Sequence, residues 1–486
     1  MFCVWTPSAM AGLFVARVAL EASGQPWPGA LVVAVGLLAA LGGLALGRWL
    51  ARRRVCLWPL LLLPVYVLWP RRDLGVAASI VVLALLVWLL SGEWRRWPRW
   101  AEPVADGLAF VVALAVYAAT VAPDVLPADA GEFQLVVARL GVAHPFGFPL
   151  YTMVGHLFVR LFPWGTPAYR LNLLSGVLAA GTLVFMARAT RLWAGRLGAS
   201  PLVAVGSGLA AALTLGTSTT FWAQATIANI RTPALFFAAL ALYALALFAT
   251  AEDAFRIPQS RVPPSRKLPA FGKVRALILL GLALGLGGGH YPPLAFVVLF
   301  FLAYVLLIDP RLALQPRRWW RPLLVGAASF LMPLVYLPIQ GARGAPLAPP
   351  GLDTLPGFLH HFLARGFAGD MFAFATGPML PHRLALVRTL FPFQFNAGLL
   401  AAAFVGLVVT LRRDWRLFVL LAGSLVLHTF VTVTYRAPQT VEYLMPAYLP
   451  LAIAAGLLPA HFADRTSAHQ QISNLQLPTS NFQPPL

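Results

Sequence analysis

Asp129 and Glu132 stand three residues apart in the string Leu126-Pro127-Ala128-Asp129-Ala130-Gly131-Glu132-Phe133. On a helix that spacing puts both carboxylates on one face. A carboxylate so placed can take the proton from a hydroxyl group as the hydroxyl attacks an electrophile. The same spacing also suits a helix start, with Asp129 as N-cap and Glu132 as the returning half of a capping box. The two roles are compatible, because a capping carboxylate keeps an oxygen free. Further on, His144-Pro145-Phe146-Gly147-Phe148-Pro149 forms a stiff loop, its prolines fixing φ and Gly147 allowing a tight path. A histidine there can bind an anion, orient a carboxylate or cap a backbone group.

Metal chemistry has little support in the sequence. The two cysteines, Cys3 and Cys56, build neither a disulfide framework nor a thiolate site. His360-His361 lacks a ligand spacing. Asp124, Asp129 and Glu132 are the clustered acids. No cofactor is expected, and no divalent metal.

The elements that must carry these residues are membrane helices. Of 486 residues, 59% are hydrophobic and only 11% charged, against about a quarter charged in soluble domains. A water-soluble enzyme is excluded. Apolar stretches long enough to cross a bilayer run at roughly 29–47, 55–70, 74–92, 104–122, 168–187, 200–217, 232–250, 274–289, 292–308, 321–339, 393–411, 417–434 and 444–460. The expected class is all-α, polytopic, with about 11–13 crossings. The stretch 55–70 is the weakest, interrupted by Pro59 and Pro64. Tyr151 to Phe162 is short and carries His156 and Arg160, so it is read as a helix lying in the interface.

With that choice the +20 net charge falls into order. Most arginines, and both lysines (Lys267 and Lys273), gather on one side, which the positive-inside rule makes cytoplasmic. Had Tyr151 to Phe162 crossed, the asymmetry would largely cancel. The excess charge is thus a topological anchor on anionic lipid and not a nucleic-acid footprint. The outer side holds residues 122–167, Gln224 to Arg231, Gly287 to Pro293, the loop 340–392 and Tyr435 to Tyr443. Residues 1–100 supply extra N-terminal helices, 101–460 the main membrane domain, and 461–486 a short polar tail expected to be disordered on the cytoplasmic side.

The string from Asp129 to Tyr151, followed by Ala168-Tyr169-Arg170-Leu171-Asn172, resembles the signature of the protein O-mannosyltransferase-like membrane family. That pattern begins Asp-Ser-Gly-Glu, continues Leu-Gly-Val-Ala-His-Pro-Pro-Gly-Tyr-Pro-Leu, and later reads Tyr-Arg-Val-Asn. Ala130, Phe146 and Phe148 depart from it here. Phe221-Trp222-Ala223-Gln224-Ala225, the glycine run ending at His290, Tyr336-Leu337-Pro338-Ile339, and Glu442-Tyr443 with Pro446 resemble later landmarks. The likeness covers about residues 104–460, and none was found for 1–100. Where the family carries Glu-Val-Tyr-Thr-Leu, this chain has Asn229-Ile230-Arg231-Thr232-Pro233, losing an acid and gaining a cation.

The resemblance implies a membrane enzyme of the C-type glycosyltransferase superfamily that moves a mannose-like hexose from a polyprenyl-phosphate carrier to an extracytoplasmic hydroxyl. The acceptor would be protein, glycan or lipid. It implies Asp129 as base; on that reading the configuration inverts in a single displacement, and Glu132 orients the acceptor or Asp129. The lipid-phosphate leaving group needs cations. Arg436 ranks first by position, ahead of Arg231 and Arg170, with His144 and His290 as donors. Gln224, Asn229, Tyr291 and Glu442 would line the cavity. Read by themselves, the arginines equally suit snorkelling to headgroups, Gln224 and Asn229 suit helix caps, and His290 suits a satisfied core position. The expected location is the bacterial inner (plasma) membrane, with the site facing outward. A transporter or lipid flippase is the competing class, and a non-catalytic lipid-binding relative the third.

Overall fold

A computed structural model describes residues 2–24, 26–52, 57–90, 101–256, 272–437 and 439–473. Its regular elements are helices. The N-terminal group is α1 (Phe2–Ala22), α2 (Gly29–Arg52), α3 (Pro64–Val67) and α4 (Leu74–Leu90). The main body follows with α5 (Ala101–Thr120), α6 (Ala128–Arg139), α7 (Pro149–Leu161), α8 (Pro167–Arg196), α9 (Pro201–Gly216), α10 (Thr219–Ala225), α11 (Arg231–Arg256), α12 (Lys273–His290) and α13 (Ala295–Ile308). It continues through α14 (Pro316–Leu334), α15 (Tyr336–Ala342), α16 (Leu355–Phe362), α17 (Met379–Ala385), α18 (Val387–Gln394), α19 (Ala397–Arg413), α20 (Trp415–Thr434), α21 (Thr440–Tyr443) and α22 (Met445–Ser473).

Seven helices are long and apolar enough to cross a membrane, or up to nine if each bent pair is one span. The bent pairs are α9 with α10, and α17–α18 with α19. Every expected span has a helix within it. Several are shorter than a crossing, which is why the count falls below 11–13. The stretch 55–70 is a 3-10 turn at Trp58–Leu62 followed by α3, because Pro59 and Pro64 each remove a donor from the ladder. The α7 helix has 13 residues, about 20 Å at 1.5 Å per residue, against an apolar core of about 30 Å. The sequence change at 461 does not end the last helix, since α22 continues to Ser473. The remainder of the expected tail lies outside the described residues, as do the arginines of 91–100 and 257–271.

Helix starts follow local chemistry. Thr166 caps α8 by accepting from Tyr169 N, and Ser200 caps α9 by accepting from Val203 N, each with proline next in line. Asn396 and Asp414 cap α19 and α20 in the same way. The core lies where α8 packs on α9 and α11, α11 on α12, and α22 on α9 and α19. It is lined with small residues such as Ala179, Ala180, Ala239, Ala244 and Ala454, all buried. Small side chains let membrane helices approach closely. At Gly208 a Cβ would stand 2.4 Å from the Ala187 carbonyl oxygen.

The charges sort by side. Asp106 on α5 binds Arg188 and Arg191 of α8 at 2.8 and 2.9 Å. Arg196 reaches Asp253 and Asp414 at 2.6 and 3.5 Å. Lys273 joins Glu252 and Asp309. All of these belong to the side read as cytoplasmic. At the other end, Arg231 pairs with Glu442, Arg436 with Asp370 and His144 with Glu132. Arg17 on α1 donates to the carbonyls of Tyr66, Val67 and Trp69, bringing residues 66–69 back to the end where α1 finishes. The chain is a multi-pass membrane protein with two polar ends. The sequence-derived sidedness groups residues as the fold does.

Candidate functional site

The outer end gathers three candidate groups on one helix and its following loop. Donor atoms of Asp129, Glu132 and His144 lie within 4.8 Å of one another. The α6 helix starts after Pro127 with no side-chain cap, so Asp129 sits inside its first turn. The capping box is therefore not what forms. Glu132 instead turns to the loop: its Oε1 accepts from His144 N at 2.6 Å, and its Oε2 lies 2.8 Å from His144 Nδ1. Asp129 has no hydrogen-bond partner among the described residues, and the helix N-terminus favours negative charge at its position.

Burial pushes the Glu132 carboxyl up, but both bonds from His144 pull it down further, so it stays below the ordinary carboxylate range. A depressed folded value means that this carboxylate stabilises the fold above the unfolded value of 4.5. The contribution is lost as pH falls through the lower folded value. Unfolding midpoints of the wild type and Glu132→Gln are thus expected to differ at neutral pH and to converge only as pH falls through the depressed folded value. A pH-independent gap would contradict the role.

The His144 loop is fixed from outside. Gly147 adopts φ +84 and donates to the His144 carbonyl at 2.7 Å. A side chain there would meet Leu337 at 2.7 Å and His361 at 3.2 Å. His361 Nε2 donates to the Ala143 carbonyl at 3.0 Å, and Tyr336 Oη to the Gly141 carbonyl at 2.8 Å. Gln340 Nε2 donates to the Leu140 carbonyl. On the membrane side, Gln134 and Asn172 hold each other at 2.9 Å and tie down the backbone of Ala122, Asp124 and Leu126.

The opposite wall is built on Arg231, the first residue of α11, which is 6% exposed. Its Nη1 lies 2.8 Å from Glu442 Oε2, and its Nη2 donates to Gln439 Oε1. The guanidinium stands 5.1 Å from the Tyr443 ring centre. Its Nε is buried without a partner. Burial pushes the Glu442 carboxyl up; Arg231 opposes this and Asp129 adds to it. Asp129 acts on Tyr443 as well. Asp129 thus lies within electrostatic reach of both Glu442 and Tyr443, the two groups set against the Arg231 guanidinium.

Other expected site residues are placed differently. Asn229 is fully committed to the turn before α11. Its Nδ2 donates to the Gln224 and Ile227 carbonyls, and its Oδ1 accepts from Arg231 N and Thr232 N. Its work is to aim Arg231. The Gln224 side chain is buried, with Oε1 unpartnered. His290 is 0% exposed, donates Nε2–H to the Ile230 carbonyl at 2.8 Å and touches the Phe148 and Tyr151 rings. It braces the pocket from behind, with Tyr291 buried beside it. Arg170 donates to the carbonyls of Val159, Pro163, Trp164 and Gly165, which closes the turn between α7 and α8. Arg436 pairs with Asp370 at 2.6 Å and is largely exposed. Arg231, by contrast, is buried.

Sequence reasoning missed Gln134, His361, Gln439 and Tyr443. Gln439 and Tyr443 neighbour Glu442 in the chain, so that acid was the signal available. His361 belonged to a pair considered only for metal.

The chain is similar to known proteins over part of its length. Residues 129–314 match the family described as Protein O-mannosyl-transferase TMEM260 N-terminal domain. The mouse protein O-mannosyl-transferase TMEM260 is 37% identical over 91 residues, which is 18% of this chain and 12% of that protein. The Dictyostelium discoideum protein is 33% identical over 88 residues, covering 18% and 11%. The chain thus spans about an eighth of the curated relatives it matches. The structure of ArnT from Cupriavidus metallidurans, bound to undecaprenyl phosphate, aligns with a TM-score of 0.48 at 14% identity, over 77% of this chain and 62% of that one. Fold and site together define a polytopic helical membrane protein with an acidic and histidine-bearing pocket at one end. Over residues 129–314 it is similar to the O-mannosyltransferase-like family.

Proposed function

We propose that the chain is a membrane glycosyltransferase. It moves a mannose-like hexose from a polyprenyl-phosphate carrier to a hydroxyl on the face opposite its arginine-rich side. The observation that carries this reading is an uncommitted carboxylate, Asp129, within electrostatic reach of Glu442 and Tyr443, which hold a buried Arg231 guanidinium with a free Nε–H. Asp129 takes the acceptor proton, and the freed oxygen attacks C1 of the sugar. The bond from C1 to the phosphate oxygen breaks in the same displacement, inverting the centre. Arg231 receives the negative charge that gathers on the departing lipid phosphate. Glu132, through His144, holds the loop that closes the pocket. The acceptor is protein, glycan or lipid.

Purified protein incubated with radiolabelled polyprenyl-phosphate mannose and a secreted-protein extract should transfer label. No transfer from any polyprenyl-phosphate hexose, together with solute flux in liposomes, would instead identify a transporter.

Asp129, Glu132 and His144 could together hold a divalent ion. Both Glu132 oxygens already serve His144, however, so that donor set is partly spent. Displacement at a sugar carbon also runs with a base and a cation alone. Transfer is therefore expected to continue undiminished in excess chelator. Loss of transfer restored by added manganese or magnesium would make the three residues ligands.

A further inference from the structure

The surroundings of Arg231 come from one short turn, α21, and the residue that caps it. Glu442 takes Nη1 at 2.8 Å, Gln439 takes Nη2, and the Tyr443 ring centre stands 5.1 Å from the guanidinium. A guanidinium carries five N–H donors in one plane. Each of the two side-chain acceptors engages one of them. The others, among them the buried and unpartnered Nε–H, remain for an anion. A phosphate grips such a plane best through two parallel bonds. The tilt of the plane therefore decides whether the free donors meet it, and α21 sets that tilt.

The turn is in turn held from within the membrane. Between α21 and α22 stands Pro446, which has no N–H, and Ala447 N goes to the Leu444 carbonyl. The Tyr443 carbonyl is thus left without a helical donor. In a bilayer an unpaired carbonyl costs several kcal/mol. Two side chains of α20 satisfy it: His428 Nε2 donates at 2.9 Å and Thr432 Oγ1 at 3.3 Å. They stand four residues apart, on one face of the helix, and both are buried. Tyr448 Oη donates to the Val441 carbonyl at 3.0 Å, and Arg383 Nη2 of α17 to Thr440 Oγ1 at 3.2 Å.

Among these holding groups His428 is the unusual one. It lies inside the α20 span, six residues before Thr434 at the outer end. An ionisable side chain within a span is costly and points to a function by default. Its Nδ1 is buried without a partner, so the ring makes a single hydrogen bond, the one to Tyr443. That bond reaches the pocket only through the turn.

We propose that His428 is a positioning residue for Arg231: by holding the Tyr443 carbonyl it fixes α21, and through α21 the plane in which the guanidinium meets the donor phosphate. The proposal rests on the reading that Arg231 receives that phosphate.

The test measures binding of farnesyl phosphate, a short-chain form of the leaving group, to the full chain in detergent, with thermal unfolding read alongside. His428→Leu should bind about tenfold more weakly, the upper effect of one hydrogen bond. His428→Gln carries a donor to about the same reach and should restore binding. His428→Asn is too short to reach the carbonyl and should bind as His428→Leu does, which keeps the test open if leucine folds poorly. Arg231→Gln should bind weakly, and adding His428→Leu should weaken it no further, because the histidine then has nothing left to position. Wild-type affinity in His428→Leu and His428→Asn, with only a lowered unfolding midpoint, overturns the proposal and leaves Arg231 as the phosphate ligand. Further weakening of Arg231→Gln by His428→Leu also overturns it, since the histidine would then act by another route. Failure of the wild type to bind the probe, or wild-type binding by Arg231→Gln, removes the phosphate reading of Arg231, and the proposal with it.

Discussion

Replacing Asp129 by asparagine is expected to lower sugar transfer by about a hundred- to ten-thousand-fold while leaving the folded protein as stable as the wild type. The chemistry follows from what the side chain does not do. Its carboxylate has no hydrogen-bond partner among the described residues and does not cap α6, so an isosteric amide breaks nothing structural. It does remove the only property that matters for attack, the ability to accept a proton. Donor binding should be unchanged or slightly tighter, because one negative charge near Arg231 is gone. The comparison that isolates this role is Glu132→Gln. Glu132 holds both His144 N and His144 Nδ1, so its loss should lower transfer and stability together. Single-turnover transfer and thermal unfolding, measured on both variants, separate the two behaviours. An Asp129→Asn protein that transfers at the wild-type rate would remove Asp129 from the role of base.

The parts of this arrangement that could be read in the sequence are those set by local pattern. Apolar run length placed a helix in every expected span, and arginine asymmetry groups the charges as the fold does. Arg188, Arg191 and Arg196 find Asp106, Asp253 and Asp414 on their own side, as sidedness requires. Proline spacing marked 55–70 as the weak span, and the structure breaks it there. What stayed hidden is set by tertiary geometry. Three-residue spacing could not say whether Glu132 would turn back to a backbone amide or forward to His144, because both need the same carboxylate. Arg170 sits in a signature string, yet its guanidinium is drawn to four carbonyls around a turn that periodicity cannot show. Arg231 looked like one outer arginine among several. Its burial depends on α21 folding over it with Gln439 and Glu442, residues far away in the chain.

Arg231→Gln should therefore be the most disruptive single change in the pocket. It leaves the Glu442 carboxylate, 24% exposed, facing Asp129 without its cation. Breaking a buried pair from one side costs about 3–5 kcal/mol. The sign of the pH dependence follows from Glu442, whose carboxyl is already pushed up in the wild type and rises further without Arg231. A raised carboxyl is tolerated in its protonated form and becomes a burden as pH climbs through its folded value. The variant's deficit should accordingly shrink on acidification and be widest at neutral pH and above. Adding Glu442→Gln removes the stranded charge, so the double variant should recover most of the lost stability, a non-additivity expected for residues in direct contact. Transfer should not return with it. The leaving phosphate has lost the cation that receives its charge, and glutamine supplies none. A double variant that regained both stability and transfer would show that Arg231 only holds the fold together, and the leaving group would then need another cation on the outer face.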